Sequence, residues 1–143
     1  WNNHMTILHP MFAMIALTAV VCCLLLASRV PSIIRHFGRL QGAMHSDELR
    51  PRLAKRMRFI TDNYNHLFEQ PVLFYALAVY LYLSQSSDEL QVQLAWGYVA
   101  LRTLHSFIQL TSNNVSARAV VFIASMMVLL LMVVRSGLNL IAA

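Results

Sequence analysis

The chain has 143 residues, 58% of them hydrophobic and only 12% charged, with a net charge of +5 and a mean hydropathy of +0.57. A soluble domain carries about a quarter charged residues, so the composition excludes an ordinary soluble enzyme and implies an integral membrane protein with one domain, 1–143. Eight of the eleven Lys and Arg lie between Arg29 and Arg58, a placement that argues against nucleic acid and for a cytoplasmic loop facing anionic headgroups.

The first apolar run, residues 6–28, is long enough to cross a bilayer, since about 20 apolar residues span the hydrocarbon core. It is too long and too weakly flanked by positive charge for a cleaved signal peptide, and reads as a retained span. Pro10 suits its first turn. His4 and His9 lie outside it or at its boundary. Cys22 and Cys23 are adjacent, so on a helix they point about 100° apart and cannot bridge each other.

Residues 29–58 form the basic loop, punctuated by Pro31, Gly38, Gly42 and Pro51. Ser46-Asp47-Glu48 is a start signal for a short helix through Leu53. The second span, 61–84, is expected to be one helix that begins amide-rich and turns apolar without a break, with Pro71 inside it. The connection Ser84 to Glu89 carries acid but no base and suits the outer side. The third span covers 90–111, and the turn after it contains Asn113-Asn114, a turn or helix-cap pair. The fourth covers 115–141, with Arg135 near its far end, where it can snorkel to an interface. Four helices in up-down-up-down order follow, with the amino terminus outside and the basic loop inside.

Polar residues in these spans are patterned. On an unbroken helix, Arg58, Asp62, Asn65 and Glu69 share one face, as do Arg102, His105 and Gln109 on the third span. Counting at 1.5 Å per residue places Glu69 and His105 about 8 Å, and Arg102 about 12 Å, from the cytoplasmic edge. A lone charge at such depth costs about 2.5 to 3.5 kcal/mol even on a lenient insertion scale. A Glu69–Arg102 ion pair, within or between subunits, is therefore expected, with Asn65, His66, His105, Gln109 and Arg118 around it. Arg118 begins the fourth helix with no acidic residue nearby in sequence, so an anionic ligand or water is its expected partner. No metal is expected, because His66 and His105 have no further ligand cluster beside them. The methionines near Met126, Met127 and Met132 read as packing.

The stretches NHLFEQPVLFY and WGYVALRTLHS, followed by Arg118 at the start of the fourth helix, resemble the MAPEG family of membrane-associated proteins in eicosanoid and glutathione metabolism. The likeness covers nearly the whole chain and looks closest to bacterial members. It implies an all-α integral membrane protein, a four-transmembrane-helix bundle assembled as a homotrimer in a bacterial inner membrane. It also implies glutathione held between subunits near the cytoplasmic side. Carried across by position, Arg58, Asn65 and Glu69 on the second helix and Arg102 and His105 on the third would contact glutathione, with Gln109 beside them. Arg118 matches the arginine that holds the sulfur as thiolate. The chain departs from the family pattern in spacing Asn65 and Glu69 by four rather than three. Prostaglandin E and leukotriene C synthases carry two tyrosines where this chain has Gln109 and Phe122, and Ala119 replaces a serine. These departures weaken the eicosanoid chemistries and leave a simpler conjugation.

Two functions follow. One is a glutathione-dependent membrane transferase or peroxidase acting on lipophilic electrophiles, its thiolate stabilised by Arg118. The other is a non-catalytic lipid-binding protein or accessory subunit of a larger membrane complex.

Overall fold

The structure, a computed structural model, describes residues 7–39 and 49–142. The first helix, α1 (Leu8–Phe37), has Pro10 in its first turn as expected. It does not stop where the basic loop was expected to begin, but continues through Pro31 to Phe37. Pro31 removes only the donor that would serve the carbonyl of Ala27, and the solvated end of a helix tolerates that loss. Termination falls instead at Gly38, whose φ of 71° is left-handed and whose N–H reaches the carbonyl of Ile34 at 2.9 Å. Arg35 and His36 occupy the last turn, where cations complement the helix dipole. The expected helix start at Ser46-Asp47-Glu48, Gly42 and His4 lie outside the described residues. Arg50–Arg52 forms a short 3-10 turn around Pro51.

The second segment is not one helix. α2 (Lys55–His66) ends in a turn over residues 67–69, and α3 (Gln70–Leu83) starts with Pro71 in its first turn. In a continuous helix the proline ring would meet the carbonyl of Leu67 and offer it no N–H. The chain closes α2 early instead, with the Leu67 N–H shared between the carbonyls of Asn63 and Tyr64, both at 3.1 Å. Glu69 adopts φ −91° and ψ −92°, outside helical geometry. Fourteen residues give α3 a length of about 21 Å, shorter than the hydrocarbon core.

α4 (Glu89–Leu110) is capped by Asp88, whose carboxylate accepts the N–H of Gln91 at 2.8 Å. After α4 the chain reverses at Asn113, whose φ of 48° is left-handed. Asn114 then accepts the N–H of Ala117 at 3.1 Å to open α5 (Val115–Ala142). The Asn113-Asn114 pair thus serves as both turn and cap.

α4 and α5 make the most extensive pairing, and α1 packs on α2, α3 and α4. The core joins Met14 and Val21 of α1, Phe74 and Leu81 of α3, Tyr98 of α4, and Leu129 and Met132 of α5. Its centre is the stack of Phe74 on Tyr98, with centroids 4.6 Å apart. At the far end of this pairing, Gln91 donates to the hydroxyl of Ser136 at 3.0 Å and Arg135 pairs with Asp88. α1 and α5 are long and apolar enough to cross a membrane, yet only 17% of the most apolar stretch of each is buried. The core helix of a soluble protein buries most of such a stretch. Here Val120, Ile123, Met127, Leu131 and Val134 of α5 face outward, as lipid contact requires.

Candidate functional site

The turn at residues 67–69 decides where the polar residues go. It takes Glu69 off the face that Arg58, Asp62 and Asn65 still share on α2, and turns Gln70 inward. The expected Glu69–Arg102 pair is not formed within the protomer. Glu69 is exposed, and its Oε2 pairs with Nδ1 of His66 at 3.0 Å. Arg102, fully buried, donates from Nη1 to Oε1 of Gln70 at 3.2 Å and from Nη2 to the carbonyl of His66 at 3.0 Å. Oε1 of Gln70 also accepts from the hydroxyl of Ser125 at 3.1 Å. A neutral amide, helped by an unpaired carbonyl at the end of α2, takes the place assigned to a carboxylate. The negative end of that helix's dipole adds to the attraction. The guanidinium carbon also lies 5.8 Å from the Phe122 ring centre.

The remaining site residues divide between two clefts on either side of α2. The first, of about 270 Å³, is lined by Arg29 of α1, Arg50, and Arg58, Thr61, Asp62 and Asn65 of α2. Arg50 pairs with Asp62 at 3.1 Å, so among the described residues three guanidinium groups and one carboxylate line the cleft. The second, of about 200 Å³, is bounded by His66 and Glu69, by His105 of α4, and by Arg118, Ala119 and Phe122 of α5. Gln109 joins neither. It is fully buried in α4, and both ends of its amide lack a partner among the described residues.

Arg118 is not left to solvent. Its Nη1 donates to Oδ1 of Asn113 at 2.6 Å, which ties the guanidinium to the preceding turn. His105 donates from Nδ1 to the carbonyl of Arg118 at 3.3 Å, while its Nε2 is buried without a partner among the described residues. The rings of His66 and His105 meet edge-on with centroids 6.1 Å apart. The second cleft therefore combines one tethered permanent cation, two imidazoles, a carboxylate and an aromatic wall.

Sequence reasoning missed Gln70 and the carbonyl of His66 as partners of Arg102, Ser125 as a further donor to Gln70, Asn113 as the tether of Arg118, and Asp88 as the partner of Arg135. Only Asn113, five residues from Arg118 and already read as a turn residue, carried a local signal. A third feature, an open apolar groove of about 640 Å³, runs between α1 and α4 past Ala13, Trp96, Ala100, Leu104 and Phe107.

Residues 7–138 match the MAPEG family. No curated protein and no solved structure matches the chain.

Proposed function

The chain belongs to the MAPEG family, and from that premise we propose that it is a glutathione-dependent membrane transferase acting on lipophilic electrophiles. The observation that carries this reading is Arg118, tethered by Asn113 and facing a small cleft beside His66, Glu69 and Phe122. A fixed guanidinium at a partly enclosed site favours a thiolate over a thiol and so raises the nucleophile available at neutral pH. Glutathione supplies that sulfur. The donor set suits it, because Arg58 and Asn65 offer a planar cation and an amide for carboxylates, while Glu69 offers an acceptor for an amine. Arg102 and Gln109 are withdrawn into the bundle, so they position helices and do not grip the ligand.

In the full assembly we infer four membrane passes, with α2 and α3 together forming the second. The basic segment 29–58 is cytoplasmic and the amino terminus lies outside, in a bacterial inner membrane. A homotrimer would bring the Arg58–Asn65 cleft of one protomer toward the Arg118 cleft of another. The groove past Trp96 and Phe107 favours a hydrophobic second substrate arriving from the bilayer.

Conjugation of glutathione to a chloronitroaromatic acceptor by the purified protein tests this reading. Turnover that falls at least tenfold in Arg118→Ala supports it. Turnover that is absent, or indifferent to that substitution, favours the lipid-binding or accessory role that Gln109, Ala119 and Phe122 also permit.

A further inference from the structure

Arg118 stabilises a thiolate but cannot accept the proton that leaves the thiol. The cleft holds three other titratable groups: Glu69, His66 and His105. His105 is poorly placed to take a proton. Its Nδ1 is committed to the carbonyl of Arg118, and its Nε2 is buried with no partner among the described residues. His66 differs on both counts. Its side chain is 33% exposed, and the Glu69 carboxylate lies 3.0 Å from its Nδ1. A carboxylate is only an acceptor, so it holds the hydrogen on Nδ1 and leaves the Nε2 lone pair unprotonated. Nε2 of His66 has no hydrogen-bond partner among the described residues. The turn at residues 67–69 releases Glu69 from the α2 face, and its carboxylate rests on the imidazole three residues earlier.

We propose that His66 is the general base of the site and Glu69 its positioning residue, a role that rests on the glutathione reading above. His66 Nε2 takes the proton of the glutathione thiol while Arg118 holds the sulfur. The sulfur electron pair forms a bond to the electrophilic carbon, and the bond from that carbon to its leaving group breaks, the leaving group departing with its electrons. His66 then returns the proton to the leaving group or to water, which restores the base. The charged and titratable groups facing His66 are Glu69 from the turn, Arg102 and His105 from α4, and Arg118 from α5. Asp62, one turn back on α2, is taken by Arg50. Only Glu69 contributes negative charge at the ring.

Two measurements test the dyad. Nitrogen-15 histidine NMR of the ligand-free protein, at a pH where the ring is neutral, should show the Nδ1–H tautomer for His66. In Glu69→Leu it should shift toward the intrinsically favoured Nε2–H form. An Nε2–H tautomer in the unaltered protein overturns the proposal without reference to glutathione. In turnover, His66→Gln should lower kcat/KM by about 100-fold, the low end for a lost general base, abolish the acid limb of the pH profile, and leave glutathione affinity unchanged. Added imidazole should restore part of the rate in His66→Gly. A His66→Gln variant that keeps both rate and acid limb overturns the dyad alone. An unaltered protein that does not bind glutathione overturns the reading beneath it.

Discussion

Arg102 and Gln70 give the sharpest energetic test, because removing either partner breaks the same hydrogen bond with unequal consequences. Gln70→Leu leaves a fully buried guanidinium with Nη1 unpartnered, alongside an Nε that already lacks a partner. Ser125 loses little, since its hydroxyl also bonds the carbonyl of Phe122 at 2.8 Å. A hydrogen bond to a charged group is worth about 1.5 to 3 kcal/mol, and stranding a buried charge adds to that, so Gln70→Leu should cost about 2 to 4 kcal/mol. Arg102→Met forfeits the bonds to Gln70 and to the His66 carbonyl, but it also removes a charge whose burial costs about 2.5 to 3.5 kcal/mol. The two contributions largely offset each other, leaving about 0 to 2 kcal/mol. The double variant should then be more stable than Gln70→Leu alone. Equilibrium unfolding in mixed micelles, followed by circular dichroism, gives all four corners of the cycle. Arg102→Met costing more than Gln70→Leu, or the two costs simply adding, would refute this account of the buried arginine.

Glu69→Gln should change stability by less than about 0.5 kcal/mol, as an exposed pair does, whereas a Glu69–Arg102 pair buried within the protomer would lose several times more; the same unfolding assay separates the two. Asn113→Gly keeps the left-handed backbone and removes the acceptor for Arg118, so stability should hardly move while the glutathione KM rises severalfold in a conjugation assay. Asp88 carries a pH signature. Partial burial pulls its carboxyl upward, but the Gln91 N–H and Arg135 outweigh this and hold it below its ordinary value of 3.8. A depressed carboxyl contributes stability that is present above that value and is lost as pH falls through the lower folded value. Because both partners are partly solvated, Asp88→Asn should cost less than about 1 kcal/mol at neutral pH, and the difference from the unaltered protein should vanish in strongly acidic titrations.

Which parts of this architecture were legible in the sequence follows from the reach of each physical rule. Hydropathy located the helical segments because lipid contact demands unbroken apolar runs, and Asn113-Asn114 announced a turn because few other residues accept a left-handed backbone. The length of α1 was not legible: Pro31 looked like a stop, but a proline costs one hydrogen bond and Gly38 supplies the actual cap. Face-sharing arithmetic worked for Arg58, Asp62 and Asn65, which lie on one continuous helix. It failed for Glu69, because the period of 3.6 residues holds only until Pro71 interrupts it. The depth argument identified a real need, a partner for a buried Arg102, and within the protomer that partner is Gln70, one position beyond Glu69. Gln109 shares a buried face of α4 with Arg102 and His105, as its spacing implies, yet spacing alone does not say whether such a face meets a cleft or the packed core. Asp88 and Arg135 had been assigned to the outer ends of two adjacent helices, and comparing their levels would have paired them.

The central claim is that the Arg118 cleft holds glutathione as its thiolate. Ultraviolet difference absorption of the purified protein, mixed with millimolar glutathione at neutral pH, measures this without any electrophile. The account predicts a saturable thiolate band that is lost in Arg118→Ala while α-helical content is unchanged. No band in the unaltered protein, or an equal band in the variant, would contradict it.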